Sequence, residues 1–462
     1  MTEPDYAGAH VLVAGAAVAG AASARALLAR GATVTVLDRR DSDSLAALRA
    51  AGAAVVVADA PPAGLLDGVD EVVVSPGFAP HSPLARAALA AGLPVYAEPE
   101  LAWRLRGPAA PVWLAVTGTN GKTTTTTMLA TILRAAGRRT AALGNIGEPL
   151  VGLDETAYDV LAVELSSFQL HWSDSLAPYA GAMLNLADDH LDWHGGFDAY
   201  AGAKEAIWRG APLGGVAVGN LDDPRVAARL VGVHGRLVGV TVGEPGRGEL
   251  GVVDGVLVDR AFDEGAVELG PADKVRPAGA HNLSNALHAA ALARAYGVPA
   301  EAVAAGLAGY TPEPHRNAHV ATVDGVAYVD DSKATNPHAA YASLATYPRV
   351  VWIAGGQLKG VDIDDLVASV APRLVGAVLL GVDRGEVSAA LARHAPSVRV
   401  VDVARTDDGA MGEVVRAAAD LADPGDTVLL APAAASLDMF RGYSHRGDAF
   451  AAAVAELRGD GG

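Results

Sequence analysis

Short apolar runs alternate with stretches of helical spacing along the whole chain. HVLVAG at 10–15, TVTVL at 33–37 and VVV at 72–74 read as buried strands, with a helix over 20–30 between the first two. VWLAV at 112–116, VLAV at 160–163 and GAMLNL at 181–186 continue the pattern, as do runs at 350–354, 377–380, 398–403 and 427–431. Strands alternating with helices build parallel, doubly wound sheets. Two places break the alternation. Asp254-Gly255 within 251–259 and Asp324-Gly325 within 319–331 each stand between alternating apolar residues and predict a hairpin turn.

Proline-containing stretches at 106–111 and 311–316 divide the pattern. The expected fold is α/β with three domains. Residues 1–105 form a Rossmann-like domain, 106–312 a central P-loop ATPase-type domain with a mostly parallel sheet, and 313–462 a second Rossmann-like domain.

Composition narrows the function. The chain is 51 % hydrophobic, much of it alanine, and no uncharged apolar run reaches the roughly 18 residues of a membrane span. The start, MTEPDYAG, is acidic, unlike a secretory signal. Cysteine is absent, which excludes disulfides, thiolate metal sites and cysteine nucleophiles. A cytoplasmic protein is the expectation. With 35 basic against 53 acidic residues the net charge is −18, the wrong sign for bulk nucleic-acid binding. Anionic substrates would need local positive partners. Only Lys122, Lys204, Lys274, Lys333 and Lys359 are lysine, the other basic residues being arginine. Such a chain keeps lysine where a compact ammonium or a reactive amine is required, or by codon bias alone.

TGTNGKTTTTT at 117–127 stands between the run 112–116 and a helical stretch at 128–137. Glycines let backbone N–H groups wrap a polyphosphate, and the following helix adds its positive end. A lysine then neutralises phosphate charge, and the next hydroxyl ligates Mg2+. Gly118, Gly121, Lys122 and Thr123 fit those roles, with Thr119, Asn120 and Thr124 beside them. The usual spacing would place a glycine at Val116, so the loop is a variant. Threonines are poor helix formers. A run of them in a first turn suggests hydroxyls near phosphate; a plain turn with threonine caps is the alternative.

GAAVAG at 15–20 also joins a strand to a helix, and Asp38 ends the next strand. That is dinucleotide geometry, except that Ala17 replaces the middle glycine and hinders a pyrophosphate. The turn equally suits another nucleotide or none. Arg39 and Arg40 would meet phosphate or stand solvated. VELSSFQL puts Glu164 at the C-terminal end of a strand, the edge that faces ligands in open α/β sheets. An acid there holds Mg2+ or caps a helix. NLADDHLDWH delivers Asn185, Asp188, Asp189, His190 and Asp192 to that edge, where a histidine ligates a metal or stays neutral near a nucleophile. Lys204, in YAGAKEAI, reads by itself as a solvated helix lysine.

These strings, with GNIG at 144–147, NLDD at 220–223, HNLSNALHA, His315-Arg316, DDSKATNP and APAAASLDMF, resemble the Mur ligase family of ATP-dependent amide-bond ligases in peptidoglycan synthesis. They follow the family's order and span nearly the whole chain. The last two strings and the N-terminal domain are most similar to its D-glutamate-adding branch. The resemblance implies that D-glutamate is added to UDP-N-acetylmuramoyl-L-alanine through an acyl phosphate, releasing ADP and phosphate. A different amino-acid acceptor is the alternative.

For the residues, the resemblance implies that Lys122 and Thr123 hold ATP phosphates and Mg2+, and that Glu164 ligates that metal. It implies a second Mg2+ served by His190 and by Lys204, carbamylated to an anion. Asn282, Asn285, Arg316, Asp331 and Lys333 would surround the nucleotide. Thr335, Lys359, Ser436, Leu437 and Tyr443 would position D-glutamate. Val18, Ala19, Asp38, Arg39, Arg40, Ser75 and Gly77 would border the uridine diphosphate in the first domain, and Asn145 the sugar-phosphate region. The third domain would take the amino acid and swing over ATP about the prolines near 311–314. Small-molecule substrates, no nucleic acid, no membrane insertion and a monomer are the expected partners and state. A nicotinamide-dependent dehydrogenase and a nucleotide-regulated scaffold are the rival readings.

Overall fold

In a computed structural model, which describes residues 6–407 and 409–459, the apolar runs assemble into three sheets. The first holds β1 (His10–Ala14), β2 (Thr33–Asp38), β3 (Ala54–Val57), β4 (Glu71–Val74) and β5 (Val95–Ala97). Their order is β3-β2-β1-β4-β5, with all pairs parallel. A central parallel strand is covered on both faces, and Val11, Leu12, Val13 and Ala14 are accordingly buried. The chain reverses direction across the sheet between β1 and β4. The crevice at their C-terminal ends is where such sheets take ligands. The helix expected over 20–30 runs Val18–Leu28 instead. Gly15, at φ 96°, turns the chain at once, so the helix begins sooner.

The second sheet contains β6 (Val112–Thr117), β7 (Ala142–Gly144), β8 (Val160–Glu164), β9 (Ala180–Met183), β10 (Val216–Asn220), β11 (Arg236–Val240), β12 (Glu249–Val253), β13 (Val256–Asp259) and β14 (Val267–Pro271). Its order is β14-β13-β12-β11-β10-β9-β6-β8-β7, with antiparallel pairs only at the β12-β13-β14 end. The expected hairpin turns at Asp254 and Gly255, both with positive φ. The strand expected over 181–186 stops at Met183, because Asn185 leaves the sheet to bond Asn120.

The third sheet holds β15 (Ala318–Val323), β16 (Val326–Asp330), β17 (Val350–Gly355), β18 (Leu374–Leu380), β19 (Arg399–Asp402) and β20 (Thr427–Leu430). Its order is β15-β16-β20-β17-β18-β19, parallel except for the β15–β16 hairpin, which turns at Asp324-Gly325. Each sheet with its helices is an α/β domain. Residues up to Val275 with Leu283–Tyr310 form one compact unit; Arg276–Asn282 with the chain from Thr311 onwards form another.

Within the first unit, the helix Glu98–Arg104 joins the first two sheets through two buried carboxylates. Glu100 accepts from the Ser175 and Leu176 backbone N–H groups, from the Ser175 hydroxyl at 2.6 Å and from Arg104 Nε at 2.9 Å. Glu98 accepts from Val151 N at 2.6 Å. Among the described residues no helix is long and apolar enough to cross a membrane.

Candidate active site

Residues far apart in sequence meet because β7, β8, β6 and β9 are neighbours and run parallel. Gly144 and Val116 both stand beside Glu164, and Thr117 beside Met183. Gly118 (φ 157°) and Gly121 (φ 83°) then turn the chain from β6 into the helix Lys122–Ala135. A Cβ at Gly121 would collide with the Asn285 amide oxygen and stand 3.1 Å from its Cγ. The loop is held rigid from β9. Asn120 N donates to Asn185 Oδ1 at 2.8 Å, and Asn185 Nδ2 donates back to Asn120 O at 3.1 Å. Thr119 Oγ1 accepts from Ala187 N and shares a 2.7 Å hydrogen bond with the Tyr200 hydroxyl.

No side chain caps the helix at Gly121, and its first turn carries no acid. Its N–H groups therefore present a positive end. Lys122 arches back over the loop, its Nζ donating to the carbonyls of Gly118 (3.0 Å) and Thr119 (2.9 Å). Thr123 and Thr124 stand in that first turn. The rest of the threonine run does not serve the loop. Thr126 and Thr127 return their hydroxyls to carbonyls four residues back, and Thr125 is fully buried.

Glu164, 2 % exposed, ends β8. Asn145 Nδ2 donates to its Oε1 at 2.8 Å, while Oε2 is buried with no hydrogen-bond partner. A buried carboxylate oxygen left bare is costly, and fits a cation ligand. Lys204 contradicts its bland reading, being 2 % exposed. Its Nζ donates to Gly118 O at 2.8 Å and to Thr117 Oγ1 at 3.4 Å, and sits 4.8 Å from the Tyr200 ring centre. Burial, aided by the Lys122 charge, pushes its pKa well below the usual ammonium range. His190 adopts the left-handed conformation (φ 52°), packs on Phe168 at 4.7 Å and lies 3.5 Å from Asp189. Burial lowers its pKa although Asp189 opposes the shift. Among the described residues no three acids or histidines form a metal cluster. Mg2+ bound beside phosphates takes one or two carboxylates, so a single bare Oε2 is compatible with such an ion without a cluster.

In the first domain, Gly15 packs against Ser75: a Cβ there would stand 2.5 Å from Ser75 Oγ. That hydroxyl is buried without a hydrogen-bond partner at the β1–β4 crevice. Val18 is 70 % exposed and, with Ala19, opens the uncapped helix Val18–Leu28. Gly77 has open space where a Cβ would go. Asp38 is already engaged, accepting from Ala16 N at 2.7 Å and from the N–H groups of Arg39 and Arg40. It locks the glycine turn, leaving the exposed Arg39 and Arg40 side chains as the ligand-facing candidates.

In the second unit, β16, β20 and β17 are adjacent, and their C-terminal loops carry Lys333 and Thr335, Ser436 and Leu437, and Lys359. Gln357 and Ala435 exchange backbone bonds of 2.8 and 3.0 Å, and Ala433 N reaches Ala334 O. Lys359 takes a positive φ (56°) on an exposed turn, Ser436 is buried and Leu437 is 65 % exposed. The Lys333 ammonium stands 3.9 Å over the Tyr443 ring. Arg316 pairs with Glu313 at 3.5 Å. Asp331 accepts from Asn317 N, and burial pushes its pKa up to about 6. Asn282 is buried and donates to Ala278 O.

Sequence reasoning passed over Arg446, 1 % exposed, whose guanidinium binds Ser332 O, Ser332 Oγ and Ala434 O at 2.9–3.1 Å. It braces two of the three loops. The signal was there: Arg446, Phe450 and Val454 lie four residues apart on one buried helix face.

Residues 9–97 match the MurD-like N-terminal domain of Mur ligases, 116–293 the Mur ligase middle domain, and 315–434 the Mur ligase glutamate ligase domain. This chain belongs to the Mur ligase family. A UDP-N-acetylmuramoylalanine–D-glutamate ligase of Thermobifida fusca is 55 % identical over 98 % of this chain and 100 % of its own. The ligase of that name from Mycolicibacterium smegmatis is 51 % identical over 98 % and 97 %. Among solved Mur ligases, MurF of Acinetobacter baumannii shares the fold with a TM-score of 0.60 at 19 % identity, covering 98 % of this chain and 91 % of that one. A pseudomurein peptide ligase of Methanothermus fervidus does so with a TM-score of 0.56 at 18 %, covering 97 % and 100 %.

Proposed function

We propose that this Mur ligase joins the amine of D-glutamate to the L-alanyl carboxylate of UDP-N-acetylmuramoyl-L-alanine, with cleavage of ATP to ADP and phosphate. The observation that carries this reading is full-length identity above half to ligases of that name, supported by a glycine–lysine loop braced by Asn185 and by the bare carboxylate oxygen of Glu164.

A carboxylate does not acylate an amine, because oxide is a poor leaving group. In the first step the L-alanyl carboxylate attacks the γ-phosphorus of ATP, and ADP departs, leaving an acyl phosphate. Two anions must approach, so positive charge at the loop decides the rate. The N–H groups of 118–123 and the uncapped helix end receive the phosphates. Lys122, now bonded to its own loop carbonyls, has γ-phosphate as its alternative acceptor. In the second step the D-glutamate amine, neutral when it attacks, adds to the acyl carbon. Phosphate leaves as the tetrahedral intermediate collapses to the amide. In the second unit, Lys359, Thr335 and Ser436 offer donors to the two D-glutamate carboxylates, with Leu437 and Tyr443 as apolar walls. Ser75, the Val18–Leu28 helix end, Arg39 and Arg40 receive the uridine diphosphate in the first domain.

Mur ligases use ATP and Mg2+. Thr123 and Glu164 Oε2 would hold one ion, and His190 with a modified Lys204 a second. Bound there, Mg2+ screens the phosphate oxygens and polarises the transferred group. The buried amine of Lys204 supports carbamylation: held neutral, it adds CO2 to form an N-carboxylate and releases one proton. Asp189 and Glu164 oppose the neutral form, but burial and Lys122 outweigh them.

The test is phosphate release against a panel of amino acids, with and without the muramoyl nucleotide. Release only with both the nucleotide and D-glutamate is expected. Equal release with L-alanine or a diamino acid would overturn the choice of acceptor.

A further inference from the structure

The helix Glu98–Arg104 belongs to the first domain, yet both acids of its first turn are buried against loops of the second. Glu100 is well compensated, with a guanidinium, a hydroxyl and two peptide N–H groups. Glu98 is not. It is 3 % exposed, accepts only from the peptide N–H groups of Val151 and Leu150, and has no ion-pair partner among the described residues. A buried carboxylate without a cation is a poor way to add stability. Its cost suggests that what it holds matters.

It holds the far end of the loop that follows β7. The near end is fixed at Gly144, next to Glu164 in the sheet, where Asn145 N donates to Glu164 O at 2.9 Å. From the near end itself Asn145 also extends its side-chain amide to Glu164 Oε1. That bond settles which carboxylate oxygen is spoken for and which stays bare. The loop has glycine turns at Gly144 (φ 106°) and Gly147 (φ 66°), and its far end is held by Glu98 on the backbone and by the buried Leu150 and Val151 side chains, so losing Glu98 loosens that end without releasing it.

We infer that Glu98 is a positioning residue for the phosphoryl-transfer step: by tying down 150–151 it keeps Asn145 on Glu164 and so aims Glu164 Oε2. This rests on the proposed reading of Glu164 as a ligand of the ATP-bound ion. Partners of metal-bound groups typically affect activity by about 10- to 100-fold, and that is the size expected here.

The experiment compares Glu98→Met, which fills the same space without accepting a hydrogen bond, with Glu98→Gln, which keeps an acceptor. In Glu98→Met, kcat should fall about 10- to 100-fold, the nucleotide Kd measured without metal should hold within about twofold, and amide exchange across 145–151 should speed up. Glu98→Gln should restore the slow exchange and most of kcat. Wild-type kcat in Glu98→Met, or unchanged exchange at 145–151, overturns the inference. A second arm leaves Glu98 in place. Asn145→Ala should lower kcat to a similar degree while exchange at 150–151 stays slow; full activity in that variant also overturns the inference, even if Glu98→Met does not fold. Exchange is read without turnover. Faster exchange in Glu98→Met alongside a wild-type chain inactive with D-glutamate would reject the proposed function and leave the anchor intact.

Discussion

Gly121→Ala probes the tightest position of the glycine–lysine loop, where no Cβ fits. The residue stands at φ 83°, where an alanine is strained by about 1 kcal/mol. The added methyl would overlap Asn285 Oδ1 and lie 3.1 and 3.3 Å from Cγ and Nδ2. Asn285 is 6 % exposed, so it cannot swing freely into water. Displacing a buried amide from its bonds costs about 1–3 kcal/mol. The two contributions sum to about 2–4 kcal/mol, or about 30- to 1,000-fold in nucleotide affinity if the cost falls on the bound loop. Gly137→Ala is the control. It lies just past the other end of the same helix, at φ 71°, with nothing within 4 Å of a Cβ. It should cost the strain alone and leave binding unchanged. Calorimetric titration with a non-hydrolysable ATP analogue reads both variants. If Gly121→Ala binds as Gly137→Ala does, close packing between loop and Asn285 is irrelevant to nucleotide binding, and the account of this loop fails.

Three further expectations follow from single side chains. Lys122→Ala should abolish turnover, measured as phosphate release, since the incoming γ-phosphate would lose the Lys122 ammonium; near-normal turnover refutes the loop's role. Lys204→Ala should be nearly inactive and partly recover with a short carboxylate such as acetate, followed by activity against acetate concentration; an absence of recovery counts against the carbamate. Burial raises the Glu98 pKa to about 7. The folded state then holds that proton more tightly than the unfolded chain, so stability is full below the ordinary value of 4.5 and declines as pH rises to about 7. The loss is about 3 kcal/mol. Glu98→Gln cannot ionise, so its melting temperature should gain on the wild type between pH 5 and pH 8; parallel curves would refute this.

Much of this architecture was legible from periodicity, because central strands of parallel sheets are apolar on both faces. β1, β6 and β17 announce themselves that way. The edge strand β7 does not, since three residues are too few to show a period, and β3, though its AVVV is apolar throughout, was passed over. The site was legible where chemistry is local, as in the glycine–lysine loop. It was illegible where one residue's role depends on another far along the chain. Lys204 looks like any helix lysine until the helix Phe197–Glu205 turns it onto Gly118. Asp38 matches a ribose-binding acid in position, yet its oxygens serve Ala16 and its own neighbours. The threonine run misleads for another reason. Threonine on a buried helix can satisfy itself on the preceding turn, so a row of hydroxyls need not face a ligand.

The Glu98–Arg104 helix also constrains how this protein can be taken apart. Its carboxylates satisfy N–H groups of Val151, Ser175 and Leu176 that lie in the neighbouring domain. A genetic cut just before the second sheet would strand those donors in one fragment and two buried acids in the other. Chimeras between related ligases should therefore exchange the first two sheets as a pair, with the crossover placed beyond them.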